Sequence, residues 1–405
     1  ARGPGGGGGD DSWLTGIRCT GACCSLEAFN RSCAYSRVYL HDGAFVGIVP
    51  LEARDEIQSV RSRSRVLTHP HPKAENFGLF GPPSRQPWGA SFNLTLLSRA
   101  EGREFLSGKE VHRFEGLHAF GCDLHGNFGH SVLEHNFGVF LALLRLGFPP
   151  GAPFRYGLLC LGGGHPSTSK EFKFSSALSG RGDVLDLPEI ARTTCTGRTA
   201  CVFDEVVAGS TLIGLASVDA SHAPRGFLYK DAMWQFRNRI FANHGVQGDT
   251  RCAEGGRAVD GAAARGALAR EGRCPLRAIL VTNKRRVLNL QELATYIGQH
   301  VPHVQAEVVN WPSLNMAEQL RVLAGSDIYI TGVGTGLMNA FLMPAGAVVI
   351  QLGEYQPRAR GQITYFDSHV QAGFAHVHSL WYPGYAALEL RPDIPPVPAG
   401  GGLYA

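Results

Sequence analysis

Short apolar runs alternate with amphipathic stretches from about Phe92 to Leu352. Before that, Ala34–Leu40 and Ala44–Val49 carry aromatic and β-branched residues on either side of His41-Asp-Gly43, a pattern that predicts a hairpin. Tyr156–Leu161 runs into three glycines and Cys201–Val207 into Ala208-Gly-Ser210, and both read as strands. Asp231–Asn243 reads as a helix with Trp234, Phe236, Ile240 and Phe241 as its apolar members, and Gly129–Leu146 as another. The alternation is cleanest near the end. Strands are predicted at Leu276–Thr282, Gln305–Asn310, Asp327–Thr331 and Ala347–Leu352, with helices at Leu288–His300, Met316–Ala324 and Gly336–Leu342 between them. Strand–helix–strand order implies crossover connections and a parallel sheet covered on both faces.

These elements divide the chain. A Gly-rich tail spans 1–12 and a first α/β domain 13–247. An Ala/Gly/Arg-rich insertion or linker follows over 248–274, then a second α/β domain over 275–390 and a Pro/Gly-rich tail over 391–405. Ser59–Arg65 and His69–Pro87 read as exposed loop. The fold class is α/β, two successive domains of parallel-sheet type with a cleft between them, and such sheets bind ligands at the carboxyl ends of their strands.

Composition narrows the function classes. With 44% hydrophobic and 18% charged residues among 405, the chain builds sizeable cores. Its formal charge of +4 is too small a surplus to argue for nucleic acid as a partner. No apolar run approaches the roughly 18–20 residues of a bilayer span, so membrane attachment is expected only through an anchor absent from this fragment. Cysteines stand at 19, 23, 24, 33, 122, 160, 195, 201, 252 and 274, without paired Cys-x-x-Cys knuckles, which favours disulfides over zinc. The sequons Asn30-Arg-Ser32 and Asn93-Leu-Thr95 agree with a secretory lumen, of the Golgi or endoplasmic reticulum.

Three constellations carry candidate chemistry. In Gly126-Asn-Phe-Gly-His-Ser-Val-Leu-Glu134, His130 and Glu134 are one helical turn apart. A carboxylate there raises the basicity of the imidazole and orients it as a general base, and Asn127 sits where it could cap the helix. The alternatives are a capped surface pair, or metal ligation by Cys122, His125, His130 and His135, whose spacing does not stack on one face. In Asp327–Asn339 a strand enters a turn with Gly332, Gly334 and Gly336, and a helix carrying Asn339 follows. Such a turn lets backbone N–H groups approach a phosphate. Thr282–Asn289 places Lys284, Arg285 and Arg286 after the first strand of the same sheet, where fixed cations suit a leaving diphosphate. Glu354 is spaced from Gly332 as an acid for ribose hydroxyls would be, but Leu337 breaks the dinucleotide fingerprint and weakens an NAD-dependent reading.

Gly126–Glu134, Cys201–Gly209, Leu280–Leu293 and Gly325–Leu352 resemble, in order, segments of glycosyltransferase family sixty-one, and Cys24–Val46 is similar to the family's cysteine-containing opening. The resemblance implies a GT-B fold of two Rossmann-like domains and inverting, metal-independent transfer from a nucleotide sugar, usually a uridine diphosphate sugar, with no further cofactor. The family's Asn-aromatic-x-His-x-x-x-Asp pattern falls on Asn127, Phe128, His130 and Glu134, and its basic segment on Asn283, Arg286, Leu288 and Asn289. Val333 replaces a His in the glycine turn and Gln351 a Glu in the next strand. On this reading His130 is the base and Glu134 its orienter. Asn127 lies on the acceptor side. Asn283, Lys284, Arg286, Gly332, Gly334, Thr335, Gly336, Asn339, Gln351 and Glu354 form the donor side. The partners are a nucleotide-sugar donor and a glycan or glycoprotein acceptor. The altered donor positions leave a non-catalytic nucleotide- or glycan-binding relative as the alternative.

Overall fold

A computed structural model describes residues 11–20, 32–64, 66–67, 91–92, 94–123, 132, 136–161, 178–180, 184–209, 230–247, 262–272, 274–282, 289–332, 335–352 and 376–382. They fall into two compact units, Ala1–Ala216 and Ser217–Ala405. Among the described residues no helix is long and apolar enough to cross a membrane.

The first unit holds strands β1 (Gly16–Thr20), β2 (Ser32–His41), β3 (Ala44–Ile48), β4 (Val66–Leu67), β5 (Ser91–Phe92), β6 (Thr95–Leu97), β7 (Glu110–Asp123), β8 (Arg155–Leu161), β9 (Leu185–Asp186) and β10 (Thr199–Gly209). Its helices are α1 (Arg54–Ser64), α2 (Arg99–Leu106), α3 (Phe137–Arg145) and α4 (Leu187–Thr193). Eight strands form one sheet in the order β6-β3-β2-β10-β7-β8-β9, with β1 also on β2, while β4 and β5 pair separately. The sheet is mixed rather than parallel throughout. β10, β7, β8 and β9 run parallel, but β2 is antiparallel to β1, β3 and β10.

The hairpin accounts for one of these antiparallel pairs. Asp42 (φ 46°) and Gly43 (φ 78°) both take the left-handed conformation a two-residue hairpin turn requires, so β2 and β3 must be antiparallel. The turn is locked from outside: Thr196 Oγ1 donates to Asp42 Oδ1 at 2.7 Å, and the Asp42 N–H to the Cys195 carbonyl at 2.9 Å. Cys195 is itself bonded to Cys201. The other described disulfide, Cys19–Cys33, joins β1 to β2, and no cysteine among the described residues is free. The core packs Tyr35, Phe92, Phe120 and Phe203 edge to face. Residues 59–64, expected as loop, belong to α1, because Ile57 and Val60 give that charged segment an apolar edge against this core. Within the expected helix Gly129–Leu146, the described helix starts at Phe137.

The second unit comprises α5 (Lys230–Asn243), α6 (Ala262–Arg270), β11 (Leu276–Val281), α7 (Leu290–His300), β12 (Val304–Val309), α8 (Met316–Ala324), β13 (Ile328–Gly332), β14 (Val348–Leu352) and β15 (His378–Tyr382). Short 3-10 helices span Trp311–Ser313 and Thr335–Leu342. All five strands are parallel, in the order β12-β11-β13-β14-β15. Leu280 and Ile330 meet Leu290 and Ala294 of α7 on one face, while Ile279, Tyr329 and Val349 are buried on the other.

Two segments sit differently from the sequence expectation. α5, expected with the domain over 13–247, packs within the second unit: Phe236 stacks on Phe341 at 5.8 Å between ring centres, and Arg237 Nε donates to the Leu342 carbonyl at 2.9 Å. The stretch 248–274 contains α6, because alanine favours a helix where tertiary contacts hold it. Here Arg265 makes a buried ion pair with Asp327 at 2.5 Å. The helix expected at Gly336–Leu342 is a 3-10 helix, cut short by Pro344, since the residue before a proline is pushed out of helical geometry. β15 adds a strand beyond those expected.

Candidate functional site

The strand order of the second unit decides where a ligand site lies. Numbered within that sheet it is 2-1-3-4-5, so the chain direction of the crossovers reverses between β11 and β13. In open parallel sheets ligands bind at such a switch point, at the carboxyl ends of the strands. Val281 pairs with Thr331 there. The segment after β11, with Asn283, Lys284 and Arg286, and the turn after β13, with Gly332, Gly334 and Gly336, thus leave from the ends of neighbouring strands.

The described part of the turn is built on buried polar side chains. Thr331 and Gln351 are register partners on β13 and β14, and both are buried. Thr331 Oγ1 donates to the Gly332 carbonyl at 3.2 Å. Tyr329 is wholly enclosed, and its hydroxyl donates to the Gly336 carbonyl at 2.6 Å. Burial pushes the phenol's pKa up, against the opposing hydrogen bonds from Asn339 and Thr331. Asn339 is only 4% exposed and directs its Nδ2 to the Tyr329 hydroxyl at 3.5 Å. It therefore helps to hold the Tyr329 hydroxyl.

The far end of the 3-10 helix Thr335–Leu342 is held as well. Arg237 donates to the Leu342 carbonyl, with its guanidinium 4.5 Å from the Trp234 ring centre and 4.1 Å from that of Phe241. His376 Nε2 lies 3.0 Å from the Phe341 carbonyl, so that nitrogen carries the proton. Burial, then the charge of Arg237, lowers the His376 pKa to about 4, which leaves the ring neutral at pH 7. Burial likewise lowers Arg239 to about 10.

Among the sequence-derived site residues, the structure brings Gly332, Gly336, Asn339 and Gln351 to this end of the sheet, and Thr335 opens the 3-10 helix. Asn127, His130, Glu134, Asn283, Lys284, Arg286, Gly334 and Glu354 lie outside the described residues, as do the sequon asparagines Asn30 and Asn93. Among the described residues no three His, Cys, Asp or Glu side chains gather closely enough to hold a metal ion. Sequence reasoning passed over Tyr329 and Arg237. The available signal was a lone tyrosine between two isoleucines in a buried strand, and an arginine amid the apolar members of α5.

Residues 218–350 match the glycosyltransferase 61 family, about a third of the chain. Over those residues the chain is similar to glycosyltransferase family 61. The match supports a glycosyltransferase rather than an NAD-dependent enzyme. The match runs through the second unit from before α5 into β14, and the segment with Asn127, His130 and Glu134 precedes it. No curated protein matches the chain.

Proposed function

We propose that this glycosyltransferase moves a sugar from a uridine diphosphate sugar to a hydroxyl of a glycan or glycoprotein, with inversion and without a metal ion or further cofactor. The observation that carries the reading is the adjacency of the β11 and β13 ends. The basic segment 283–288 and the glycine turn, both within the family match, leave the sheet from two neighbouring strands at its switch point. Lys284 and Arg286, with N–H groups of the turn, bind the diphosphate and stabilise the charge it gains on leaving. His130 takes the proton from the acceptor hydroxyl and Glu134 orients the imidazole. The acceptor oxygen forms its bond to the anomeric carbon as the bond to the phosphate oxygen breaks on the opposite face. The described disulfides suit a secretory lumen.

Thermal melts with uridine and guanosine diphosphates and their sugars, with and without EDTA, test the donor. A ligand at 100 times its dissociation constant adds about 2.7 kcal/mol, a shift of a few degrees. We expect a shift with uridine diphosphate that survives EDTA. His130→Ala is expected to abolish transfer while leaving that shift intact. Loss of the shift in this variant argues against His130 as the base, and a shift that EDTA removes argues against metal independence.

A further inference from the structure

Tyr329 presents a question that packing does not answer. It is wholly enclosed, and a phenylalanine would fill the same space without the cost of burying a hydroxyl. The hydroxyl donates to the Gly336 carbonyl at 2.6 Å, in the first turn of the 3-10 helix Thr335–Leu342. Asn339, one turn on, returns its amide to the same hydroxyl. At the other end Arg237, 8% exposed and sandwiched between Trp234 and Phe241, donates to the last carbonyl of the helix, that of Leu342.

A 3-10 helix of eight residues has poor hydrogen-bond geometry and little stability of its own. Its first peptide planes also fix the direction in which its leading N–H groups point. Here a side chain from β13 takes a carbonyl in its first turn, and one from α5 takes the carbonyl at its end. The cation stands at the carboxyl end, where the helix dipole favours it.

We propose that Tyr329 and Arg237 are positioning residues, clamping this helix at its two ends and so setting the affinity of the donor site for nucleoside diphosphate. The inference rests on the reading of the glycine turn as the donor site. Neither residue touches the donor, so their loss weakens binding more than it slows the bond-making step.

The test compares wild type, Tyr329→Phe, Arg237→Met and Arg237→Lys, measuring uridine diphosphate affinity by calorimetry, donor KM and kcat, and amide exchange over residues 335–342. A net hydrogen bond of about 0.5–1.5 kcal/mol corresponds to roughly 2–12-fold. Tyr329→Phe is expected to raise Kd and donor KM within that range, with a smaller fall in kcat and faster exchange over 335–342 that the diphosphate slows again. Arg237→Met shifts the same quantities and Arg237→Lys restores part of the loss. A folded Tyr329→Phe with unchanged Kd and KM overturns the clamp and leaves the donor site standing. Wild type that binds neither uridine nor guanosine diphosphate overturns both. If Tyr329→Phe does not fold, the Arg237→Met and Arg237→Lys pair decides by the same criterion.

Discussion

In each unit an aspartate ties neighbouring strands together, and the two do so in opposite surroundings. In the second unit Asp327 accepts from Arg265 Nε at 2.5 Å and from the Arg277 N–H at 2.9 Å, with both side chains of the ion pair 2% exposed. In the first unit Asp204 accepts from Arg113 at 2.7 and 3.0 Å and from the Gly116 N–H at 3.2 Å, with Arg37 3.5 Å away. Half of the Arg113 side chain remains in solvent there. Desolvation works to raise the Asp204 pKa, but the bonds from Arg113 and Gly116 and the charges of Arg113 and Arg37 outweigh it and hold the carboxyl below its ordinary value. Asp204 also gathers a distortion. Arg37 and Gly116 are both in the left-handed region, and the register of β10 on β7 shifts between Phe203 and Glu205. The lesson is that the same bonding pattern performs different tasks. Buried, it fastens α6 to the sheet that carries the glycine turn. Half-exposed, it shapes a bulge.

The largest expected effect breaks this comparison directly. Asp327→Ala leaves the Arg265 charge enclosed without its carboxylate, a change that typically costs about 3–5 kcal/mol. Asp204→Ala removes bonds that water largely replaces, and about 1 kcal/mol is expected. Urea unfolding with amide exchange read on β11 and on β10 separates the two. Equal losses would mean that burial does not set the difference.

Among the described residues, His118 in the first unit and His376 in the second are largely enclosed. His118 lies on β7 against Phe203 and Phe114, its Nδ1 3.1 Å from the Gly116 carbonyl, and His376 lies beside Trp234. Burial lowers both pKa values to about 4, with Arg155 adding to the effect on His118 and Arg237 on His376. In the unfolded chain each ring titrates near 6.5, so between pH 6.5 and 4 the unfolded state holds the extra proton. Stability is therefore full above pH 6.5 and falls as pH drops towards 4. From pH 7 to 5 the loss expected is about 2 kcal/mol for each ring. His118→Phe removes this contribution from the first unit and His376→Gln the larger one from the second, where burial also lowers His244, measured by urea unfolding at the two pH values. A slope that persists in both variants assigns the acid sensitivity to other groups.

What could be read from the sequence follows the reach of each interaction. α8 was legible to the residue, because Asn315 and Glu318 before an apolar run, and Gly325 after it, mark both ends locally. The β2–β3 hairpin was legible through Asp42-Gly43. The antiparallel pairing of β2 with β10 joins residues as far apart as Ser32 and Gly209, and no local pattern encodes it. α6 was hidden by a composition that suits loop and helix alike, its place decided by Arg265 finding Asp327. At the candidate site the glycines announced the turn, but Tyr329 and Arg237 gained their roles from carbonyls on other elements.

The smallest expected effect sharpens the comparison most, because local chemistry is held constant. Both units contain a reciprocal helix cap. In α2 the Glu101 N–H donates to Ser98 Oγ at 3.3 Å and the Ser98 N–H to Glu101 Oε2 at 2.7 Å. In α8 the Glu318 N–H donates to Asn315 Oδ1 at 3.0 Å and the Asn315 N–H to Glu318 Oε2 at 2.7 Å. Ser98 is buried and Asn315 exposed. Removing a cap costs roughly 0.5–2 kcal/mol, and less where water can reach the orphaned N–H. Ser98→Ala is therefore expected near the upper end and Asn315→Ala near the lower, by thermal or urea unfolding of the single variants. If the exposed Asn315 proves as costly, its shorter bond to the Glu318 N–H outweighs solvent access, and capping strength in this protein follows local geometry rather than burial.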